Sequence, residues 1–298
     1  MSRKKELEIK GIFVLVVLVF LIFLLVPLTR LFLKSFVGDA GLTPDFYGEV
    51  LTGRGFLRAF GNSLAISSVS AVVTTLLAFI LAYGVHYCNL PGRYKGFISR
   101  AAVAPMLLPT ITYGFAIIYS FGKQGLITRL FGTQLFDIYG FNGLLLGYVI
   151  YTLPVSFLLL SNTMSYIDKK FSVVSRIMGD SPFATFVGTV LRPLLGTLAA
   201  SFVQCFFLCF TDYGIPASVG GEYEVTATVL YNEMLGSVPN FSRGACVAML
   251  MLIPSVVTIA LLHYLEKYNI RYNKISQIEI RRYHIVKDIG IIQSILPI

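Results

Sequence analysis

Apolar residues in this chain come in long, nearly unbroken runs, with polar residues gathered between them. The first run covers Gly11 to Thr29, with Arg30 and Lys34 just beyond it. Others cover residues 61–86, 101–121, 142–165, 190–212 and 244–265. A helix of about 20 apolar residues crosses the hydrocarbon core of a bilayer. Lipid offers no water to unpaired backbone groups, so runs of this length are expected to be helical. The pattern predicts an all-α integral membrane protein with six transmembrane helices. The first run is too long for a signal-peptide core and lacks a small-residue cleavage site. It reads as a retained helix reaching to about Ser35. Pro105, Pro109, Pro154 and Pro254 fall inside runs and predict kinks that neighbouring helices support.

The polar segments set the direction of threading. With the N-terminus inside, segments 1–10, 87–100, 166–192 and 266–298 carry 17 Lys and Arg residues, against five in segments 38–60, 122–141 and 213–243. Basic residues concentrate on the cytoplasmic side, so a multi-pass protein with both termini cytoplasmic is predicted. Arg30 and Lys34 lie near the outer end of the first run and can snorkel to the interface. The net charge of +9 is therefore a topology signal and needs no nucleic acid to explain it. The domain reading follows: a cytoplasmic N-terminus over 1–10, a membrane domain over 11–265, and a basic cytoplasmic tail or linker over 266–298. The tail is amphipathic and is expected to lie on membrane lipid.

The four cysteines offer no C-x-x-C pair, and the three histidines stand apart. Neither a metal site nor a disulfide framework is predicted. Cys205 and Cys209 share one face of an apolar run and read as small packing residues.

The most punctuated polar stretch is "SVVSRIMGDSPFATF", Ser172 to Phe186. Residues 166–178 predict one helix, with Ile167, Phe171, Val174 and Met178 on a common stripe. Gly179 supplies a left-handed cap that ends it. Beyond Asp180, Ser181 caps a second helix and Pro182 suits its first position. Phe183 and Phe186, at i and i+3, are expected to project together, with Arg176 just before the break. The result is a helix–turn–helix with an apolar tip. Such a tip either packs on its own bundle or docks into an apolar pocket of a soluble partner.

This arrangement resembles the "EAA" loop of ATP-binding-cassette importer permeases, which reads E-A-A-x-x-x-G and then, some ten residues on, I-x-L-P. Gly179 stands at the motif glycine. Val173, Val174 and Ser175 stand at the E-A-A positions, and the distal element is "TVLRP", Thr189 to Pro193, with Pro193 one residue late. A loop between the fourth and fifth of six spans is that family's layout. "GKQGLITRLFG" (122–132), "YGFNGLLLGYVIYTLP" (139–154) and "FTDYGIPASVGG" (210–221) resemble the subgroup that imports ferric iron, phosphonates such as 2-aminoethylphosphonate, or polyamines.

The resemblance implies a type I importer permease fold in a prokaryotic cell membrane. It implies a non-catalytic subunit that forms the translocation pathway and couples to a separate ATPase. Arg176, Gly179, Asp180, Ser181, Pro182, Phe183 and Phe186, within a coupling loop over 166–192, would then meet the ATPase. The implied partners are ATPase subunits holding ATP and Mg, a second permease copy or homologous half, and an extracytoplasmic solute-binding protein. The chain is expected to hold no cofactor of its own. It has no G-x-x-x-x-G-K-[ST] phosphate loop, so energy must come from elsewhere. A free-standing subunit and one half of a fused double permease both fit the resemblance.

Pathway candidates are Gln204 in the fifth run, Thr211, Asp212 and Tyr213 at its end, and Pro109 and Thr112 in the third. An ionisable residue at a span's end is a functional candidate. Equally, Asp212 could be an interfacial carboxylate capping a break made by Gly214 and Pro216. The alternative function is a secondary transporter acting without an ATPase, which calls for midplane ionisable residues or broken helices. A membrane-embedded enzyme lacks support, since no H-E-x-x-H or G-x-S-x-G motif is present.

Overall fold

The computed structural model describes residues 3–38 and 41–264. The tail over 266–298 lies outside the described residues. Among the described residues the structure is all-α apart from one pair of two-residue strands, and five helices are long and apolar enough to cross a bilayer: Ile9–Lys34, Arg54–Tyr87, Phe141–Tyr166, Pro182–Thr211 and Phe241–Tyr264. A sixth crossing would be the broken pair Gly92–Leu107 and Thr110–Phe131, bent by 111°. These helices fall into two compact units.

The first unit comprises residues 1–63 and 223–254. Helix α1 (Arg3–Lys34) exposes its apolar side chains along its described length, as a lipid-facing helix does. Strands β1 (Val37–Gly38) and β2 (Gly41–Leu42) pair antiparallel and lead to α2 (Asp45–Thr52). The Ser35 and Tyr47 hydroxyls lie 2.8 Å apart, and Ser242 donates to the Val37 carbonyl at 2.8 Å. Helix α12 (Thr226–Leu235) is tied to the start of α3 (Arg54–Tyr87): the Thr226 amide donates to Ser63 Oγ at 2.8 Å, and Asn62 Nδ2 to the Glu224 carbonyl at 2.9 Å. Helix α13 (Phe241–Tyr264) begins here, with Arg243 3.3 Å from Glu233.

The second unit, residues 64–222 and 255–298, holds the remaining elements. In chain order, after the rest of α3, they are α4 (Gly92–Val103), a 3-10 turn over Ala104–Leu107, α5 (Thr110–Phe121), α6 (Leu126–Phe131) and α7 (Phe141–Tyr166). Then come α8 (Lys170–Ile177), α9 (Pro182–Phe186), a π-turn over Val187–Leu191, α10 (Arg192–Thr211) and α11 (Gly214–Val219). Lipid tails are as apolar as leucine, so packed helices in a membrane are held by close fit and hydrogen bonds. Helices α3, α7 and α10 meet through hydroxyls: Thr74 with Thr152 at 3.0 Å, Thr75 with Ser201 at 3.4 Å, and Ser156 with Ser201. Towards the Tyr87 end, Ala78, Ala82, Phe157, Leu160, Met164 and Leu194 form an apolar core.

The expected single third span over 101–121 is broken. Proline lacks an amide proton and excludes the helical conformation from the residue before it. With Pro105 and Pro109 four residues apart, the helix tightens to a 3-10 turn and then stops, rather than kinking. The Pro105 carbonyl accepts the Leu108 amide at 3.0 Å, and the Tyr113 hydroxyl also donates to Pro105 and, at 3.3 Å, to Leu108.

The segment 213–243, expected as an outer loop, is also corrected. Its first part, α11, packs against α5 and α7, with Ile215, Pro216 and Val219 buried. Two glycines allow the approach. A Cβ at Gly114 would overlap the Ser218 hydroxyl, and one at Gly147 would sit 2.7 Å from Ile215 Cγ2.

Candidate functional site

Two places hold the residues singled out by the sequence, and both lie in the second unit. One is the knob formed by α8, its turn and α9. The helix expected over 166–178 starts later: α7 ends at Tyr166, and α8 begins at Lys170, whose amide donates to Asp168 at 2.9 Å. Helix α8 then ends as the sequence requires. Gly179 has φ +87°, its amide donates to Arg176 at 3.1 Å, and the Asp180 amide reaches back to Ser175 at 3.1 Å. These paired bonds satisfy the last carbonyls of the helix. Ser181 caps α9 by accepting the Ala184 amide at 3.2 Å, with Pro182 at the first position.

The two phenylalanines part company. Phe183 is 76% exposed. Phe186 turns inward, its ring edge-on to Tyr83 at 5.6 Å and to Phe79 at 6.2 Å. The i, i+3 spacing puts them on neighbouring faces of a helix, and the body of the unit lies against one of those faces only. The expected shared tip is therefore Phe183 alone, joined by the exposed Phe171, Val174, Ile177 and Met178 of α8.

Sequence reasoning missed what fixes the knob. Ser172 lies 2.9 Å from Thr189 Oγ1, and Ser175 lies 3.0 Å from Thr185 Oγ1 and donates to Asp180 at 2.5 Å. Ser172 and Ser175, three apart and opposite the apolar stripe, were the available signal. Ser172 and Ser175 turn inward and are half-buried, while the apolar Phe171, Val174 and Ile177 are exposed, unlike a helix that packs its apolar stripe on its own core.

The second place is the turn after α10. Asp212 is half-buried and accepts the Ile215 amide at 2.9 Å, so it caps α11. Burial raises its pKa above the usual carboxylate value, and bonds from the Ile215 amide, Thr110 and the Gly214 amide pull it back. The partnership with Thr110 brings Asp212 to the first turn of α5, where the Thr112 amide donates to the Pro109 carbonyl at 3.0 Å. The structure thus unites Pro109, Thr112, Asp212 and Tyr213 around one turn. Thr211 is exposed and its hydroxyl donates to the Phe207 carbonyl at 2.9 Å. Gln204 stands apart, about 12 Å further back along α10 at 1.5 Å per residue. Its half-buried amide has no hydrogen-bond partner among the described residues. Among those residues, no group of three His, Cys, Asp or Glu side chains could hold a metal ion.

Long apolar helices, a bent helix pair and an exposed amphipathic knob mark an integral membrane protein. The family of binding-protein-dependent transport system inner membrane components matches residues 74–270, and the chain belongs to it.

Among its relatives, the ferric transport system permease protein FbpB of Actinobacillus pleuropneumoniae is 25% identical over 273 residues, 89% of this chain and 39% of that protein. A spermidine/putrescine transport system permease PotC homologue of Mycoplasma pneumoniae is 25% identical over 275 residues, 88% of this chain and 92% of that one. The chain spans about two-fifths of the length of the ferric transport relatives it matches. A chain of a bacterial ABC transporter that imports alginate superposes with a TM-score of 0.73 at 13% identity, over 90% of this chain and 96% of that one. That likeness establishes the fold.

Proposed function

We propose that this chain is the permease subunit of an ATP-driven importer, forming part of the solute pathway and receiving motion from separate ATPase subunits through the α8–α9 knob. The observation that carries the reading is the exposed apolar stripe of α8 beside the exposed Phe183. A solo transporter has no use for such a surface. The solute is a small polar species such as ferric iron, a phosphonate or a polyamine, delivered by a solute-binding protein. Relatives named for ferric iron and for spermidine/putrescine both support that class. A second permease copy, or a homologous half, completes the pathway. Arg176, Gly179, Asp180, Ser181, Pro182 and Phe183 form or shape the docking surface, and Phe186 anchors it. The turn joining Pro109, Thr112, Asp212 and Tyr213 is the gate candidate, with Gln204 deeper in the pathway.

The test is affinity purification of the tagged chain from native membranes. ATPase subunits and a solute-binding protein are expected to come with it, and purification with neither would reject the reading. Orientation has its own test. Cys88 is the one exposed cysteine, Cys205, Cys209 and Cys246 being buried. A membrane-impermeant maleimide is expected to label Cys88 in inside-out vesicles and not in intact cells. Labelling of Cys88 in intact cells would reverse the predicted topology.

A further inference from the structure

The end of α3, the start of α4 and the α8–α9 knob border an open cavity of about 390 Å³. Three cationic side chains line it, Lys95, Lys169 and Arg176, beside the His86 imidazole, and no carboxylate does. The acidic residues nearest in sequence are engaged elsewhere. Asp168 accepts the Lys170 amide at 2.9 Å, and Asp180 accepts the Ser175 hydroxyl at 2.5 Å. His86 is held by Ser161 at 2.8 Å, and the Lys169 ammonium lies 5.7 Å from the centre of the Tyr87 ring. The Tyr87 hydroxyl is buried, with no hydrogen-bond partner among the described residues, and Tyr87 also lines the cavity.

Like charges gathered on one wall repel one another, and an anion placed among them relieves that repulsion. A phosphate suits this wall. It accepts several charge-assisted hydrogen bonds at once, from Arg and Lys and from a hydroxyl. Depth in the membrane narrows the source. The cavity adjoins Tyr87, the last residue of the crossing helix α3, and the ends of crossing helices are where headgroups gather. Anionic headgroups are drawn to clustered Lys and Arg at that level.

We propose that this cavity binds the phosphate of an anionic lipid headgroup. The occupant joins the α3–α4 corner to the knob, because Lys95 comes from one side and Lys169 and Arg176 from the other. On the reading that the knob receives ATPase motion, the bound lipid stiffens the lever and makes coupling depend on membrane composition.

The test uses the full-length chain in nanodiscs of phosphatidylcholine with or without phosphatidylglycerol. Native mass spectrometry after extraction counts retained lipid. The wild type is expected to keep phosphatidylglycerol and not phosphatidylcholine. Lys95→Gln with Lys169→Gln should lower retention roughly tenfold or more, as losing charge-assisted hydrogen bonds implies. Lys95→Arg with Lys169→Arg keeps the charges and should keep the lipid, which separates a lost site from a damaged fold. A parallel dialysis with radiolabelled inorganic phosphate separates the two sources. Phosphate binding without phosphatidylglycerol retention would overturn the lipid assignment in favour of a free anion. Equal retention by the wild type and the Gln variant, or retention by neither, would overturn the site. A nanodisc exposes both leaflets and contains no ATPase, so the outcome does not depend on the proposed orientation or coupling.

Discussion

Phe183→Asp is expected to strip ATPase subunits from the purified complex while the chain itself stays inserted in the membrane. Phe183 is 76% exposed on the first turn of α9, so the exchange removes little from the chain's own packing. Surface changes of that kind usually alter stability by less than about 0.5 kcal/mol. At an interface, an aromatic anchor is a different matter. Truncating one costs about 2 kcal/mol or more, which is roughly 30-fold in affinity, and a buried charge adds to the loss. Phe186→Asp should behave differently. Its ring packs on Phe79 and Tyr83, so the charge would enter the chain's own aromatic cluster and lower the amount of folded protein in the membrane. The measurement is the ratio of ATPase to permease after affinity purification. Wild-type ratios from Phe183→Asp would show that the knob is not the docking surface.

Gly179→Val is the second large effect expected. At φ +87° an L side chain meets its own backbone, and a β-branched one is worst placed. A Cβ there would have nothing else within 4 Å, so the strain belongs to the turn and not to crowding by neighbours. The cost is about 1–2 kcal/mol, enough to depopulate the turn several-fold. The chain should still reach the membrane in near-normal amount. Binding-protein-stimulated ATP hydrolysis by the assembled complex should fall several-fold. Gly179→Asn, whose side chain tolerates the left-handed region, should retain most of the activity. If Val and Asn behaved alike, the conformation at Gly179 would not matter to coupling.

What could be read from the sequence followed from local rules. Apolar run length gave the crossing helices, and the Gly-Asp-Ser-Pro order of residues 179–182 gave the knob's turn, because capping depends on residues a few positions apart. What could not be read depended on distant chain. Phe183 and Phe186 are equivalent in the sequence, and only the placement of Tyr83 against one of them tells them apart. Glycine at 114 and 147 carries no instruction until Ser218 and Ile215 arrive beside them, which is why α11 passed for loop. The third span combined apolar composition with two prolines, and composition alone does not say whether a helix bends or stops. The basic cavity escaped because its side chains come from three segments, each of which reads as ordinary inner-face charge.

The π-turn at Val187–Leu191 decides the rotational phase of the fifth crossing helix. One extra residue in a regular helix would turn everything beyond it by about 100°. A π-turn takes up such a residue in a single widened loop of backbone. Pro193 follows directly, and in a regular helix its ring would press on the Thr189 carbonyl, which lies within the widened turn. The π-turn thus places Pro193 just beyond a stretch where the helix is already widened. Phe186 still points at Tyr83 on one side of it, and Leu194 and Thr197 still point into the unit's interior on the other. The widened turn thus sets the phase between α9 and α10, with Phe186 turned inward on one side and Leu194 and Thr197 buried on the other.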